Sequence, residues 1–283
     1  MRNLDTVMAA IHYIEEHLIS EKLDLDTVAA AVHYSKFHLH RIFTDAVGLS
    51  IHDYAQRRQL TEAAKLLVFS DKPIIDIAIL AGYDSQQAFS SVFKAMYKES
   101  PHQFRKNEVF YPLQLEYNFK GQRESLENAQ NNSAREIRFV EEADIPLWMD
   151  LVHLAIDGFP GLEEDEHLTV LMRYIASQGA LLITEGGISI GGMMINYETG
   201  SIDFLAVHPF YRKQGISRDL LNAAFTELLK NKEISITTFR EGDKADTGYR
   251  KALKELGFAE AELLTEFGYP TQRMVFPKEN AND

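Results

Sequence analysis

Ser35-Lys36-Phe37-His38-Leu39-His40-Arg41-Ile42-Phe43 is answered fifty residues later by Ser85-Gln86-Gln87-Ala88-Phe89-Ser90-Ser91-Val92-Phe93. Each stretch opens on a serine, a good helix N-cap, and carries apolar residues at positions five, eight and nine, which is helical spacing. The offset holds outside the pair as well. Asp26 matches Asp76, Ala31 matches Ala81, Ser50 matches Ser100, His52 matches His102, and Tyr54 stands opposite Phe104. A helix–turn–helix unit therefore occurs twice, joined by one long helix.

The surrounding sequence fills in the rest of the first half. Helices are expected over Asp5–Leu18, Asp24–Val32, Ser35–Val47 with Gly48 as its stop, and Ser50 to Ser70. Pro73 is placed in the first turn of a short helix reaching Ala81. A turn at Gly82-Tyr83-Asp84 leads into a helix from Ser85 to Tyr97, and Pro101 opens the last one. Phe43 and Phe93 fall on the apolar repeat and are expected in the core. The bland alternative is a helical bundle that binds nothing.

If the repeat reads DNA, the chemistry follows from residue type. Arg41 can bind guanine with both arms of its guanidinium, Gln86 and Gln87 suit adenine or a phosphate, and His40 offers a donor. Lys36 and Lys94 suit phosphates. Two recognition helices on one chain can read consecutive major grooves without a dimer, so the oligomeric state stays open.

The whole chain has 283 residues, enough for two domains. It has no cysteine, which excludes a disulfide scaffold, a thiolate metal site and a cysteine nucleophile. No stretch of about 20 apolar residues occurs, and the start lacks a signal pattern, so a soluble cytoplasmic protein without a membrane partner is expected. The net charge of −13 is uneven. Residues 1–108 hold 12 Lys/Arg against 14 Asp/Glu, whereas residues 136–283 hold 14 against 25. A near-neutral first half is compatible with DNA, and an acidic second half favours a cationic small molecule over an anionic one.

Residues 1–108 resemble the DNA-binding domain of the bacterial AraC/XylS transcription regulators. The resemblance rests on the two helix stretches, on the Gly82-Tyr83-Asp84 turn and on Ser100-Pro101-His102-Gln103-Phe104-Arg105. It implies an all-α domain with two helix–turn–helix units and double-stranded DNA as partner. It points to Phe37, His40, Arg41, Gln86, Gln87 and Ser91 as readers. Lys98 departs from the family's usual glycine, and Ser91 stands where arginine is common.

Val109 to Phe119 alternates and is expected to form a strand, and Lys120 to Arg135 is polar. Together 109–135 is assigned as a linker that lets the domains move. Beyond Glu136 the pattern turns α/β. Strands are expected at Ile137–Val140, Ala180–Thr184, Ile188–Asn196, Ile202–Val207, Ile234–Phe239 and Met274–Phe276. Helices are expected at Ile145–Ile156, from the acidic run Glu163–Glu166 to Ser177, at Ile216–Leu229 and at Asp246–Leu256. Between strand and helix, Arg212-Lys213-Gln214-Gly215-Ile216-Ser217-Arg218 places a basic, glycine-containing turn at a helix N-terminus, where free amides suit phosphate.

Residues 136–283 resemble the GCN5-related N-acetyltransferase (GNAT) superfamily, on the turn Arg212–Ser217, the apolar strand before it and Leu256-Gly257-Phe258. The resemblance implies an α/β domain with a mixed, largely antiparallel sheet and acetyl-CoA as cofactor or sensed ligand. It places the pantetheine arm along Leu205, Ala206 and Val207, and the pyrophosphate at Arg212, Lys213, Gln214, Gly215, Ile216, Ser217 and Arg218. Leu253 occupies the family's usual general-acid tyrosine position. Tyr249, one helical turn earlier, is the candidate substitute. No metal is expected. The functional expectation is a DNA-binding regulator whose second domain binds acetyl-CoA, an amine effector, or both. The alternative is an active N-acetyltransferase attached to a DNA-binding domain.

Overall fold

A computed structural model describes residues 2–18, 23–117, 119, 126, 134–155, 164–228 and 233–276. The chain divides into two compact units, the first drawn mainly from Met1–Asn118 and the second mainly from Phe119–Ala155, Gly161–Gly242 and Gly248–Asp283.

The first unit is helical: α1 Arg2–Glu16, α2 Leu25–Ala31, α3 Lys36–Val47, α4 Ile51–Phe69, α5 Ile74–Leu80, α6 Gln86–Tyr97 and α7 Pro101–Asn107. The fifty-residue repeat is visible in the caps. Ser35 and Ser85 accept from the N–H of His38 and Ala88, and Ser50 and Ser100 accept from Asp53 and Gln103. Both recognition-type helices end in a left-handed residue, Gly48 at φ 80° and Lys98 at φ 64°. Lysine tolerates this position because its ammonium returns to the Ala95 carbonyl at 2.7 Å, at the negative end of the helix. Pro73 is the N-cap of α5 rather than a first-turn residue.

Helix α4 is the spine, and its buried face carries Arg57 and Arg58 as well as Tyr54, Leu60 and Leu67. The Arg58 guanidinium grips Glu15 of α1 through Nε at 2.9 Å and Nη2 at 2.8 Å, and Tyr54 donates to the same carboxylate at 2.8 Å. Burial and the Glu15 charge push the Tyr54 phenol well above its usual range. This fastens the first repeat onto the spine, while the second packs around Phe89, Phe93, Tyr97 and Phe104.

The strand expected over Val109–Phe119 is not formed in the described part of that segment. Its backbone is satisfied by α4 instead. The Leu113 and Gln114 amides donate to Thr61 Oγ1 at 3.0 and 3.2 Å, and their carbonyls accept from Arg57 and Arg58. A backbone paired with side chains needs no neighbouring strand. Most of the polar run Lys120–Ser133 lies outside the described residues.

The second unit holds β1 Glu136–Phe139, α8 Ile145–Ala155, α9 Glu164–Ala176, β2 Ala180–Glu185, β3 Ile188–Ile195, β4 Ser201–Val207, α10 Ile216–Leu228, β5 Ile234–Phe239, α11 Tyr249–Leu256, β6 Ala259–Glu266 and β7 Tyr269–Phe276. The sheet order is β1-β2-β3-β4-β5-β7-β6, antiparallel except for β4 beside β5. Strand β3, inside the sheet, is buried along its whole length. A Cβ on Gly192 would lie 2.9 Å from the Trp148 ring of α8, and one on Gly191 would lie 2.4 Å from Ile216 of α10. The two glycines let helices close on opposite faces of the sheet.

Strand β6 was not expected, because Ala259-Glu260-Ala261-Glu262-Leu263-Leu264-Thr265-Glu266 is glutamate-rich. It is an edge strand that pairs only with β7 and keeps much of its surface in solvent. β7 begins at Tyr269, five residues before the expected Met274. Helix α11 begins at Tyr249 rather than Asp246, behind the left-handed Gly248 at φ 107°.

Candidate functional site

In the helical unit, α3 and α6 have the same division of faces. Leu39, Ile42 and Phe43 are buried on α3, as are Phe89 and Phe93 on α6. Lys36, Phe37, His40 and Arg41 are exposed on α3, and Gln86, Gln87, Ser91 and Lys94 on α6. Phe37 is 80% exposed, far more than packing requires. Lys36 pairs with Asp26 at 3.1 Å, and Arg41 lies 3.4 Å from His38 Nδ1. Gln87, Ser91 and Lys94 follow one helical stripe, and α6 contains no acidic residue. Such a face suits a polyanion approached by side chains.

The second unit offers a site of a different kind. Strands β4 and β5 pair only at Ser201–Ser235 and Ile202–Ile236, after which the ladder stops. On its other side β4 pairs with β3 up to Val207, with an irregularity that leaves Asp203 as an extra residue. The His208 N–H donates to the Ile190 carbonyl. Antiparallel alternation then turns the backbone of Phe204 and Ala206 toward β3, and that of Leu205 and Val207 toward the side where the β5 ladder has ended. Of the three residues expected along the pantetheine arm, two aim their backbone at this opening and Ala206 does not.

The turn after β4 is built in detail. His208 caps a 3-10 turn at Pro209–Tyr211, accepting from the Phe210 N–H at Nδ1. Burial, followed by the Arg212 charge, lowers the His208 pKa to about 3, so the ring is neutral. Lys213 and Gly215 are left-handed at φ 62° and 82°. A Cβ on Gly215 would meet open space. The backbone there leaves room for a ligand before α10 begins at Ile216. The first amides of α10, those of Ile216, Ser217 and Arg218, have no preceding turn to bond. Lys213, Gln214 and Arg218 are exposed, and Arg212 and Ser217 are half-buried.

Sequence reasoning missed the groups that brace this turn. Arg135 donates to Gln214 Oε1 at 3.0 Å, to the Gln214 carbonyl at 3.3 Å and to Glu185 at 2.8 Å. Tyr211 donates to Glu185 at 3.2 Å. No spacing signal links residues 135, 185 and 214; the sheet brings them together.

Tyr249 is the first residue of α11 and is half-buried. Leu253, one turn on, is 4% exposed and packs as core. Arg250 donates to the Phe239 carbonyl at 3.2 Å, so this end of α11 lies over the end of β5, parallel to which β4 also finishes. The acidic residues Glu164–Glu166 form the first turn of α9, where the helix dipole favours them; Glu163 lies outside the described residues. Asp203 accepts from Tyr174 and Ser201. Among the described residues no group of His, Asp and Glu is arranged to hold a metal, and no helix is long and apolar enough to cross a membrane.

A helix-turn-helix domain model matches residues 28–107, and an acetyltransferase (GNAT) family model matches residues 148–258. The regulatory protein SoxS of Escherichia coli (strain K12) is 37% identical over 105 residues, which are 37% of this chain and 97% of that protein. The uncharacterized HTH-type transcriptional regulator YbfP of Bacillus subtilis is 40% identical over 99 residues, 35% of this chain and 33% of its own. The probable transcription factor PqrA of Proteus vulgaris is 42% identical over 69 residues, 24% of this chain and 57% of its own. The chain thus spans about a third to about half the length of the last two relatives, and nearly all of SoxS. The chain belongs to the AraC-type helix-turn-helix family and carries a GNAT acetyltransferase-family domain behind its helical unit.

Proposed function

We propose that the protein is a transcription regulator that reads duplex DNA through α3 and α6 and senses acetyl-CoA through its second unit. The observation that carries the DNA half is the repeated face, in which two helices with one cap and one core pattern each expose polar and basic side chains, α6 without any acidic residue and α3 with Asp45 alone. Arg41, His40 and Phe37 read bases from α3, Gln86, Gln87 and Ser91 read from α6, and Lys36 and Lys94 hold phosphates. The names of the similar proteins, regulators and a probable transcription factor, support the same reading.

The cofactor half rests on the opening between β4 and β5 together with the turn beyond it. An extended amide-bearing chain fits beside Leu205 and Val207, whose backbone faces the opening, while Ala206 is committed to β3. A pyrophosphate fits the amides of Gly215, Ile216, Ser217 and Arg218 at the positive end of α10, with the Arg212, Lys213 and Arg218 side chains adding charge; the Gln214 N–H, expected to join them, is donated to the Tyr211 carbonyl. When bound, acetyl-CoA would supply an activated acetyl group. The chain's own residues bind and orient it. Sensing is preferred over turnover because Leu253 is a buried hydrocarbon and cannot protonate a leaving thiolate.

Turnover is the second reading, favoured by Tyr249 at the open end of α11. The test is a duplex selected by the protein from a random pool, with affinity measured against salt. A reader weakens linearly in log–log form with a slope near −0.9 per phosphate contact. Absence of salt-dependent, sequence-selective binding would contradict the DNA half. Release of thiol from acetyl-CoA with an amine, lost in Tyr249→Phe, would replace sensing by catalysis. The effector amine, activation or repression, and a cytoplasmic location belong to this proposal.

A further inference from the structure

A side-chain clamp closes the turn that leads into α10. The β1–β2 register sets Glu136 opposite Thr184. The residues just outside that ladder, Arg135 and Glu185, therefore face each other across its end. Arg135 donates from Nε to Glu185 at 2.8 Å. Its other two nitrogens fork onto one residue, Nη2 to the Gln214 side-chain oxygen at 3.0 Å and Nη1 to the Gln214 carbonyl at 3.3 Å. Gln214 donates its side-chain N–H back to the Phe210 carbonyl at 3.0 Å, and its backbone N–H to the Tyr211 carbonyl at 3.3 Å. The Tyr211 hydroxyl donates to the second oxygen of Glu185 at 3.2 Å. Both ends of the turn 211–214 are thus tied to the pair Arg135 and Glu185. The backbone inside the clamp is strained. Lys213 is left-handed at φ 62° without being glycine, and Gly215 follows at 82°. An L side chain disfavours that region, and a residue stays there only where its surroundings hold it.

We propose that Arg135 is a positioning residue for the phosphate site: its fork on Gln214, anchored by Glu185, holds the turn in shape ahead of α10 and so sets the affinity for a pyrophosphate. The proposal rests on the reading of residues 215–218 as a pyrophosphate site. A turn already held in its binding conformation loses less freedom when the ligand arrives. Without the fork the amides remain, but affinity falls by the fraction of molecules in which the turn is formed. Charge is not the main effect, because Glu185 already balances the guanidinium and Asp219 lies 3.9 Å from it. Shape is, since an ammonium has no planar fork to span both Gln214 oxygens.

The test uses the full chain with three probes: inorganic pyrophosphate, acetyl-CoA, and S-acetylpantetheine, which has the thioester arm and no pyrophosphate. Kd values are measured for the unaltered chain, Arg135→Lys, Gln214→Ala and the double variant. Each single change is expected to weaken pyrophosphate and acetyl-CoA about ten-fold and leave S-acetylpantetheine unmoved. The double variant is expected to bind no more weakly than either single one, because both changes cut the same link. Unaltered pyrophosphate and acetyl-CoA affinity in Arg135→Lys would overturn the proposal and leave the phosphate site intact. So would losses that multiply in the double variant. An equal loss for S-acetylpantetheine would make Arg135 a general support of the fold and overturn it too. If the unaltered chain bound neither pyrophosphate nor acetyl-CoA, the site reading would fall, and the proposal with it. Thermal unfolding checks that each variant folds. Glu185→Gln, which keeps an acceptor for Arg135 and loses the charge that anchors it, takes the place of Arg135→Lys if that variant does not, with a smaller loss expected on the same two probes.

Discussion

The two units carry their candidate chemistry in opposite ways. In the helical unit it lies in side chains, Arg41 or Gln87 standing out from a helix whose other face is core. In the sheet unit it lies in backbone, at the edge of β4 and the amides that open α10. A side-chain site is written in residue types, whereas a backbone site is written in register, turn conformation and the ending of a ladder. The first kind tolerates substitution everywhere except at the readers and the core beneath them. The second tolerates most side chains and fails when the backbone cannot take its shape.

Phe93 tests whether scaffold and reader are separable in the helical unit. Its ring stacks on Tyr97 at 4.4 Å and meets Phe104 edge-on at 5.3 Å. Phe93→Ala is expected to destabilise that unit by about 3–5 kcal/mol, whereas Phe37→Ala leaves its melting temperature nearly unchanged and weakens DNA binding. Equal losses of stability would erase the distinction. Arg41→Ala is next, with a loss of about 1–3 kcal/mol of specific affinity and relaxed preference at one base. Selection of the same base by the variant would show that Arg41 is not a reader.

His208 gives the sheet unit a pH signature. Its pKa of about 3 lies below the unfolded value, so the unfolded chain binds the extra proton and stability falls as pH drops below about 6.5. Between pH 6.5 and 5 the expected loss is about 2 kcal/mol from this residue. It should be absent in His208→Asn, which retains an acceptor for the Phe210 amide. Calorimetric unfolding against pH, variant against unaltered chain, reads the difference; parallel curves would contradict it. The smallest effect is at Gly215. Alanine there meets no neighbouring atom but must hold a left-handed conformation, at a cost of about 1 kcal/mol. Acetyl-CoA affinity should fall in Gly215→Ala, while Lys213→Ala, which leaves the amides in place, should change it less. The reverse order would assign the site to side-chain charge.

Legibility in the sequence follows the same division. The double repeat was readable because caps and core positions recur at one offset, and each is a choice of residue type. The helix boundaries of α3, α4 and α6 followed from Ser35, Ser50, Ser85 and Gly48. The buried pair of Arg58 with Glu15 was not readable, since nothing at i+4 spacing announces a partner on another helix. The segment after Glu108 alternates like a strand, but its hydrogen bonds go to Thr61, Arg57 and Arg58, a tertiary arrangement that periodicity does not encode. In the second unit the turn at Gly215 was legible from its glycine and basic neighbours. The direction of the Ala206 backbone depends on the irregularity at Asp203 and on where β5 stops pairing. Arg135 was hidden because its partners, Glu185 and Gln214, come from distant strands and turns. Strand β6 was missed because an edge strand can be rich in glutamate while keeping most of it, Glu260 and Glu262 here, in solvent.

The proposed function makes the sheet unit a backbone-built site for acetyl-CoA, attached to a side-chain reader of DNA. Thermal unfolding with and without acetyl-CoA tests it most directly, with each unit's transition followed separately. At 100 times its Kd the ligand should stabilise the second unit's transition by about 2.7 kcal/mol, saturably, and leave the first unmoved. An unchanged second transition at millimolar acetyl-CoA would contradict the account.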